Sequence, residues 1–345
     1  MKVPVFFDAE RLKYPNTGLY HFCLQLGQAI ADRFSLTFFT SSDELSPRVP
    51  VHFWHKWWLR PASGSYIWHA THQDTEYMPT GSGASIVLTI QDLNYLHDGR
   101  KSEAKKQRFK AKLQAKINRA NYLVFISEYT QRDVQAHFEL GNTPQKVILN
   151  GCNLAQIPPD IPFPLIANGR PFLFTIGTIA EKKNFHVLPQ LLVGNDRLLI
   201  IAGITQQAHY LEKIKQEAQD LGVSDRVIFA GAVSEQDKMA LYVQCEAFVF
   251  PSLAEGFGLP VVEAMHLGKP VFLSQFTSLP EVGGPEAYYF TDFDGASMRE
   301  TLTKGLQDYQ VNDKKQAIQA WSKRFDWSVA ATSYVEVYAK LAERK

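Results

Sequence analysis

Short apolar runs alternate along the chain with stretches of helical spacing. In the first half "VPVFF", "LTFFT", "YIWHA", "IVLTI" and "YLVFIS" read as buried strands. Between them, "GLYHFCLQLGQAIADRF" and "SEAKKQRFKAKLQAKINRA" have the spacing of helices. The second half repeats the rhythm with "FLFTIG", "RLLIIAG", "RVIFAG", "AFVFPS" and "PVFLS" as strands. Its helices are "YLEKIKQEAQDLG", "DKMALYVQC" and "PVVEAMHLG", several of them ending at glycine. Such alternation predicts an α/β protein with parallel sheets and helices on both faces. The prolines of "QIPPDIPFPLIANGRP" forbid helix and weaken strand, which places a linker at 156–170. Two Rossmann-like domains follow, over 1–155 and 171–324. A final amphipathic helix begins near Phe325 and runs through 345. No repeat of solenoid period and no low-complexity tract is present.

Composition narrows the class. A chain of 345 residues is longer than one hydrophobic core usually serves. Its 45% hydrophobic and 21% charged content is that of a globular protein. A net charge of +1 gives no global attraction to nucleic acid, and none is expected as a partner. Cys23, Cys152 and Cys245 are odd in number and far apart, which suits a reducing compartment and shows no metal spacing. No long apolar run resembles a signal peptide or a membrane span, so a cytoplasmic location is expected.

In open parallel sheets ligands sit beyond the carboxyl ends of the strands. The loops "RLKYPNTGL", "QDLNYLHDG", "GTIAEKKN" and "PSLAEGFG" each follow a predicted strand and are expected to face a cleft between the domains. The last is the most informative. Glu255 and Glu263 bracket a glycine-rich, mostly apolar run. Pro260 suits the first turn of a helix starting near Leu259. Gly256 and Gly258, just before it, permit a tight turn and close approach of a ligand. Helix-start amides favour an anion such as phosphate. Carboxylates accept hydrogen bonds from paired hydroxyls, as on sugars and riboses. Helical geometry keeps the two glutamates apart, so they suit two parts of one extended ligand, a nucleotide sugar. The competing reading is a surface loop with Glu263 solvated on its helix. A glycosidase acid pair would need two facing carboxyls, which this placement does not favour.

The run "PSLAEGFGLPVVEAM", followed by "LGKPVFLSQFTSLPEV", resembles the signature of retaining glycosyltransferases of the GT-B fold, family four. That family has two glutamates separated by seven residues. "FTIGTIAEKKNFHVL" is similar to its basic donor-phosphate segment, with Lys182, Lys183 and Asn184 where Arg-Lys-Asn is common. "LTIQDLNYL", "FISEYTQRDV", "VILNGCN" and "FAGAVSEQDKMALYVQCEAFVFPS" also match, and the resemblance is weakest over residues 40–80. It implies a GT-B fold of two Rossmann-like domains facing across a cleft, the C-terminal helix crossing back to the first. It further implies that Glu255 binds donor-sugar hydroxyls and that Glu263 binds the ribose. Gly256, Phe257, Gly258 and Leu259 would line sugar and phosphate. Lys183, helped by Lys182, would neutralise the departing diphosphate beside Gly177 and Thr178. Gly18 would let the first domain approach the phosphates. Two departures stand out. Gln91-Asp92 replaces the family's usual His-Asp, and Gln91 can hydrogen-bond but carries no proton. Only Gly18 remains of a glycine pair. Asp92 either orients the acceptor hydroxyl or caps a turn. Lys182 and Lys183 could otherwise be a solvated pair at a helix start.

Other features carry less. Asp292 and Asp294 in "DFD" formally resemble a metal-binding pair, but a solvated turn is favoured and no metal or other cofactor is expected. The i, i+3 spacing of His69 and His72 is read as chance. The basic helix at 101–119 is either a solvated face or a surface for anionic lipid or charged glycan. The segment at 51–61, "VHFWHKWWLRP", is either a core edge or a membrane- or sugar-contacting surface. The expected function is retaining transfer of a hexose from a nucleotide-diphosphate sugar to a glycan or lipid-linked glycan acceptor. It would serve surface polysaccharide or lipopolysaccharide synthesis, with peripheral contact at the inner face of the cytoplasmic membrane. The "GTI…KKN" wording is similar to bacterial mannosyltransferases and tilts the donor toward GDP-mannose, with UDP-glucose and UDP-N-acetylglucosamine open. The alternatives are an epimerase-like enzyme of the same fold and a non-catalytic sugar-nucleotide- or glycan-binding protein.

Overall fold

The strands are continuous apolar runs because both faces of each sheet are covered. In the computed structural model, which describes residues 3–15, 17–152, 154 and 161–343, the chain forms two compact units. One comprises Met1–Asn153 with Phe325–Lys345, the other Leu154–Arg324.

The first unit holds β1 (Val5–Asp8), α1 (Gly18–Ala31), β2 (Leu36–Phe39), β3 (Arg48–Val49), β4 (Tyr66–Ala70) and β5 (Ala84–Ile90). It continues with α2 (Asn94–His97), α3 (Glu103–Ile117), β6 (Tyr122–Phe125), α4 (Glu128–His137) and β7 (Gln145–Val147). All pairings are parallel, in the order β3-β2-β1-β4-β5-β6-β7. Val5 pairs with both Leu36 and Ile67, so the strand order reverses between β1 and β4. One core face joins Phe39, Trp68, Leu88 and Phe125.

The C-terminal helix Trp327–Ala342 packs against α1 in this same unit. Its Tyr338 hydroxyl lies 2.7 Å from Nδ1 of the fully buried His69, whose Nε2 lies 2.8 Å from Thr89 Oγ1. His69 is thus spent on packing and its spacing from His72 is structural. Gly151 permits the docking: a Cβ there would stand 2.3 Å from the Trp327 backbone nitrogen.

The second unit holds β8 (Phe172–Ile176), β9 (Leu198–Ala202), α5 (Ala208–Asp220), β10 (Val227–Gly231), α6 (Glu235–Gln244) and β11 (Ala247–Phe250). It continues with α7 (Leu259–His266), β12 (Val271–Ser274), α8 (Leu279–Gly283), β13 (Tyr288–Phe290), α9 (Gly295–Val311) and α10 (Lys315–Ser322). This sheet too is all parallel, in the order β10-β9-β8-β11-β12-β13. Its order reverses between β8 and β11. The loops leaving these two neighbours diverge at their carboxyl ends, which is where such a sheet opens a crevice for a ligand.

Three strands escape the sequence pattern: β3, β7 and β13. All three are at sheet edges, β3 is only two residues long, and β3 and β7 have no buried position. Within the proline-rich stretch a single turn of 3-10 helix forms at Leu165–Ala167, where a helix was not expected. Residues 155–160 of the expected linker lie outside the described residues.

Candidate functional site

Two loops meet at the β8/β11 reversal. After β8 the chain makes a 3-10 turn at Glu181–Lys183, stopped by Asn184 at φ +57°. The turn is not the start of an α-helix, and its lysines part ways. Lys182 is exposed, while Lys183 is buried. The Lys182 carbonyl accepts from Leu253 N at 2.8 Å and lies 3.0 Å from Ser252 Oγ, which ties this turn to the loop after β11.

Lys183 reaches across to that loop. Its Nζ donates to Glu255 Oε1 at 2.5 Å and sits 4.8 Å from the centre of the Phe250 ring. Ser252 Oγ lies 2.6 Å from the same carboxylate oxygen. Burial alone would push the Glu255 carboxyl up. The charges of Lys183 and Lys182 and the bonds from Lys183 and Ser252 outweigh it and hold Glu255 below the ordinary carboxylate range. Gly177 makes room for the lysine, since a Cβ there would lie 3.1 Å from Lys183 Cε. Thr178, next in the loop, is half-buried.

The loop around Glu255 is held from behind by the segment after β12. Thr277 Oγ1 accepts from the Glu255 backbone N–H at 3.0 Å. Ser278 Oγ lies 2.8 Å from the Phe257 carbonyl and 3.1 Å from that of Glu255. Thr277 has φ +56°, a left-handed conformation that strains a β-branched residue. Phe257 is buried, and Gly256 and Leu259 are half-buried. Gly258, at φ +108°, turns the chain into α7, where a side chain would be strained and a Cβ would press on Leu279. Pro260 occupies the first turn of α7, and among the described residues no side chain caps this helix start.

Glu263 is not solvated. It is 6% exposed, accepts from Tyr242 Oη at 2.9 Å and lies 3.5 Å from Lys238 Nζ. Burial raises its carboxyl above the ordinary value, against the opposing pull of Lys238 and the Tyr242 bond. The bland alternative of a solvated helix glutamate is thereby overturned.

Residues 157–323, which contain this whole arrangement, match the family model described as Glycosyl transferases group 1. The second unit resembles the group 1 glycosyl transferases over nearly its whole length. The "Serotype-specific mannosyltransferase WbdA" of Escherichia coli is 34% identical over 181 residues, 50% of this chain and 22% of that protein. The Escherichia coli "O-antigen chain mannosyltransferase B" is 31% identical over 171 residues, 48% of this chain and 45% of that protein. The chain therefore spans less than half the length of these curated relatives. Among solved structures, sucrose-phosphate synthase from Thermosynechococcus elongatus gives a TM-score of 0.75 at 16% identity, covering 99% of this chain and 100% of that one. HepE of Anabaena, in complex with UDP and glucose, gives 0.71 at 18% identity, covering 98% and 99%. The fold is GT-B, an α/β pair of Rossmann-like units.

In the second unit the structure brings Lys183 and Glu255 into contact and gives Glu263 separate partners on α6. Sequence reasoning missed Ser252, Tyr242, Lys238, Thr277 and Ser278. Ser252 lies inside the quoted "PSLAEGFG" and could have been read there. Tyr242 and Lys238 lie within one to two helical turns of each other, on a helix with no distinguishing motif.

In the first unit Gly18 opens α1 and is exposed, with Thr17 Oγ1 capping the helix by accepting from Tyr20 N at 3.2 Å. Gln91 is buried at the end of β5. Its side-chain amide donates to the Thr71 carbonyl at 3.0 Å, and its backbone N–H donates to Gln73 Oε1 at 3.0 Å. Asp92 Oδ1 accepts from Asn94 N at 2.9 Å, the turn-forming role left open by the sequence. Asp292 and Asp294 also serve turns: Asp294 Oδ2 caps α9 by accepting from Ala296 N and Ser297 N at 2.9 and 3.1 Å. Among the described residues no cluster of three or more His, Cys, Asp or Glu could hold a metal ion, and no helix is long and apolar enough to cross a membrane.

Proposed function

We propose that the protein transfers a hexose, with retention of configuration, from a nucleotide-diphosphate sugar to a glycan or lipid-linked glycan acceptor. The observation that carries the reading is the buried Lys183–Glu255 pair beside the Gly256–Gly258 turn at an uncapped helix start. A diphosphate seated there meets the Lys183 ammonium, the exposed Lys182 and the Gly258 and Leu259 amides at the start of α7. Glu255 turns its free carboxylate oxygen to donor-sugar hydroxyls, and Glu263 takes the ribose. The lysines supply the neutralising charge, and a divalent ion is not required. No enzyme nucleophile takes part. The bond from the anomeric carbon to the diphosphate breaks as the acceptor hydroxyl bonds to the same face, and the hydroxyl proton passes to the departing phosphate oxygen. The first unit takes the acceptor, with Asp92, Gln91 and Gly18 as its candidate residues.

GDP-mannose is the favoured donor, supported by the names of two relatives that are mannosyltransferases. An acceptor in O-antigen or other surface-glycan synthesis follows the same support. The enzyme would then work in the cytoplasm at the inner face of the membrane, with contact through residues 101–119 and 51–61.

The test is thermal stabilisation by a panel of nucleoside diphosphates and their sugars, followed by product analysis with and without EDTA. Ligand bound to the native state raises the melting temperature at concentrations well above its dissociation constant. A shift with one nucleotide, reduced in Glu263→Ala, and an EDTA-resistant α-linked product are expected from an α-linked donor. Binding without turnover over any acceptor would leave a binding protein, and conversion of donor without acceptor would leave an epimerase.

A further inference from the structure

The segment 51–61 is built inside out. Val51 packs on the core, Leu59 is 2% exposed, and His55 lies against the buried Phe39 ring at 5.1 Å. These three, at intervals of four, fasten a 3-10 turn (Phe53–Lys56) to the first unit. Its remaining large side chains point outward: Phe53 is 69% exposed, Trp54 48%, Trp57 71% and Trp58 67%. The rings are packed on one another rather than scattered. His52 stacks on Trp54 at 4.3 Å, and Phe53 meets Trp54 at 5.1 Å and Trp57 at 6.3 Å. Leaving such side chains in water forgoes the gain from burying them, and a contiguous patch of this kind marks an interaction surface.

The neighbourhood of the patch is basic. Residues 51–61 contain Lys56, Arg60 and two histidines and no acid. Arg60 lies over the Trp58 ring at 5.9 Å. Lys56 is paired with Glu76, whose carboxylate also feels Lys112 and Lys116 of α3. That helix carries six basic residues against the single acid Glu103, with Lys105, Arg108 and Lys112 exposed. Glu76 thus links the aromatic turn to the cationic helix. The chain's net charge is only +1, so this cationic excess is local.

We propose that the turn carrying Phe53, Trp54, Trp57 and Trp58 seats the protein on an anionic lipid surface. Indoles prefer the boundary between headgroups and acyl chains, where the ring is buried and its N–H stays hydrated. Lysines and arginines beside them are attracted to the anionic headgroups. Four protruding rings suit a deformable bilayer better than a preformed pocket. The inference rests on and deepens the membrane contact of the proposed function, and its test needs neither donor nor acceptor, so it can fail while the transferase reading holds.

The full chain is tested by flotation with vesicles of phosphatidylcholine, with or without about a third phosphatidylglycerol. Wild type floats with the anionic vesicles, its tryptophan emission shifts to the blue, and brominated lipid quenches it. Trp57→Ser with Trp58→Ser weakens partition by at least about tenfold. Lys105→Gln with Arg108→Gln and Lys112→Gln weakens it by about a hundredfold. Both variants keep the wild-type melting temperature because the replaced side chains are exposed. Quenching in the wild type needs no variant and holds the test if either fails to fold. Failure of wild type to float, or flotation of the serine pair like wild type, overturns the proposal. So does a wild-type dimer that the serine pair converts to monomer in sedimentation velocity, which would assign the turn to a second copy.

Discussion

Lys183 Nζ lies 2.5 Å from Glu255 Oε1, with only 10% and 12% of the two side chains exposed. Removing one partner of a buried pair strands the other charge and costs about 3–5 kcal/mol. Lys183→Met and Glu255→Gln should each lower stability by amounts of that order, Glu255→Gln the less because it keeps a hydrogen bond. The double variant should recover most of the loss. Turnover should fall by about 10²–10³ in Lys183→Met and stay low in the double variant. Urea denaturation and initial rates on the three proteins measure both. Restored turnover in the double variant would show that the pair serves packing alone.

Asp8, fully buried at the end of β1, sets a pH dependence in the first unit. Burial pushes its carboxyl up to about 7, against bonds from Thr75 Oγ1 at 2.6 Å and Glu10 N at 3.2 Å; Glu10 adds to the rise and Arg11 opposes it. The folded value lies above the unfolded one of 3.8, so the protonated form favours folding. This contribution is fully present below pH 3.8 and is lost as pH rises to about 7, up to roughly 4 kcal/mol. Asp8→Asn carries no such proton. Relative to wild type, the variant should gain stability between pH 4.5 and 8. A difference that stays flat over that range would contradict the neutral buried carboxyl.

What the sequence made legible was the repeating architecture and the one glutamate motif. Leu198–Ala202 is apolar throughout, and Phe172–Ile176 in all but Thr175, because these strands are covered on both faces, and that pattern survives in one dimension. Edge strands such as Gln145–Val147 are only half-buried and leave no such trace. Within the site, Glu255 and Lys183 were legible from their motifs, yet nothing in the spacing said that they touch. Their contact arises because β8 and β11 are neighbours in the sheet while 72 residues separate the two side chains. Lys238 and Tyr242 were hidden for the same reason: they meet Glu263 through helix packing, which single-sequence periodicity does not report.

The buried hydrogen bond between Tyr338 and His69 offers a test of the C-terminal helix. Tyr338→Phe removes the partner of His69 Nδ1, 2.7 Å away in a site where burial holds the imidazole neutral, lowered to about 3. An unsatisfied buried nitrogen costs about 1–3 kcal/mol. The variant should lose that much by denaturation. Amide exchange should speed along 327–342. Wild-type exchange there would mean that packing on α1, not this bond, fixes the helix.

Thr277 joins strain to position. A β-branched residue at φ +56° costs about 1–2 kcal/mol relative to glycine, while its hydroxyl accepts the Glu255 backbone N–H at 3.0 Å. Thr277→Gly relieves the strain and forfeits the bond, worth about 1 kcal/mol, so stability should change little. Thr277→Val keeps the strain and leaves the Glu255 N–H without this acceptor, and should lose about 1–3 kcal/mol. Thr277→Ser keeps the hydroxyl. If the residue earns its conformation by aiming Glu255 at the donor, kcat falls in the glycine and valine variants, serine restores it, and nucleotide affinity holds in all three. A glycine variant with wild-type kcat would reduce Thr277 to a turn residue. The split between kcat and stability decides the matter, because a purely structural role predicts that the two move together.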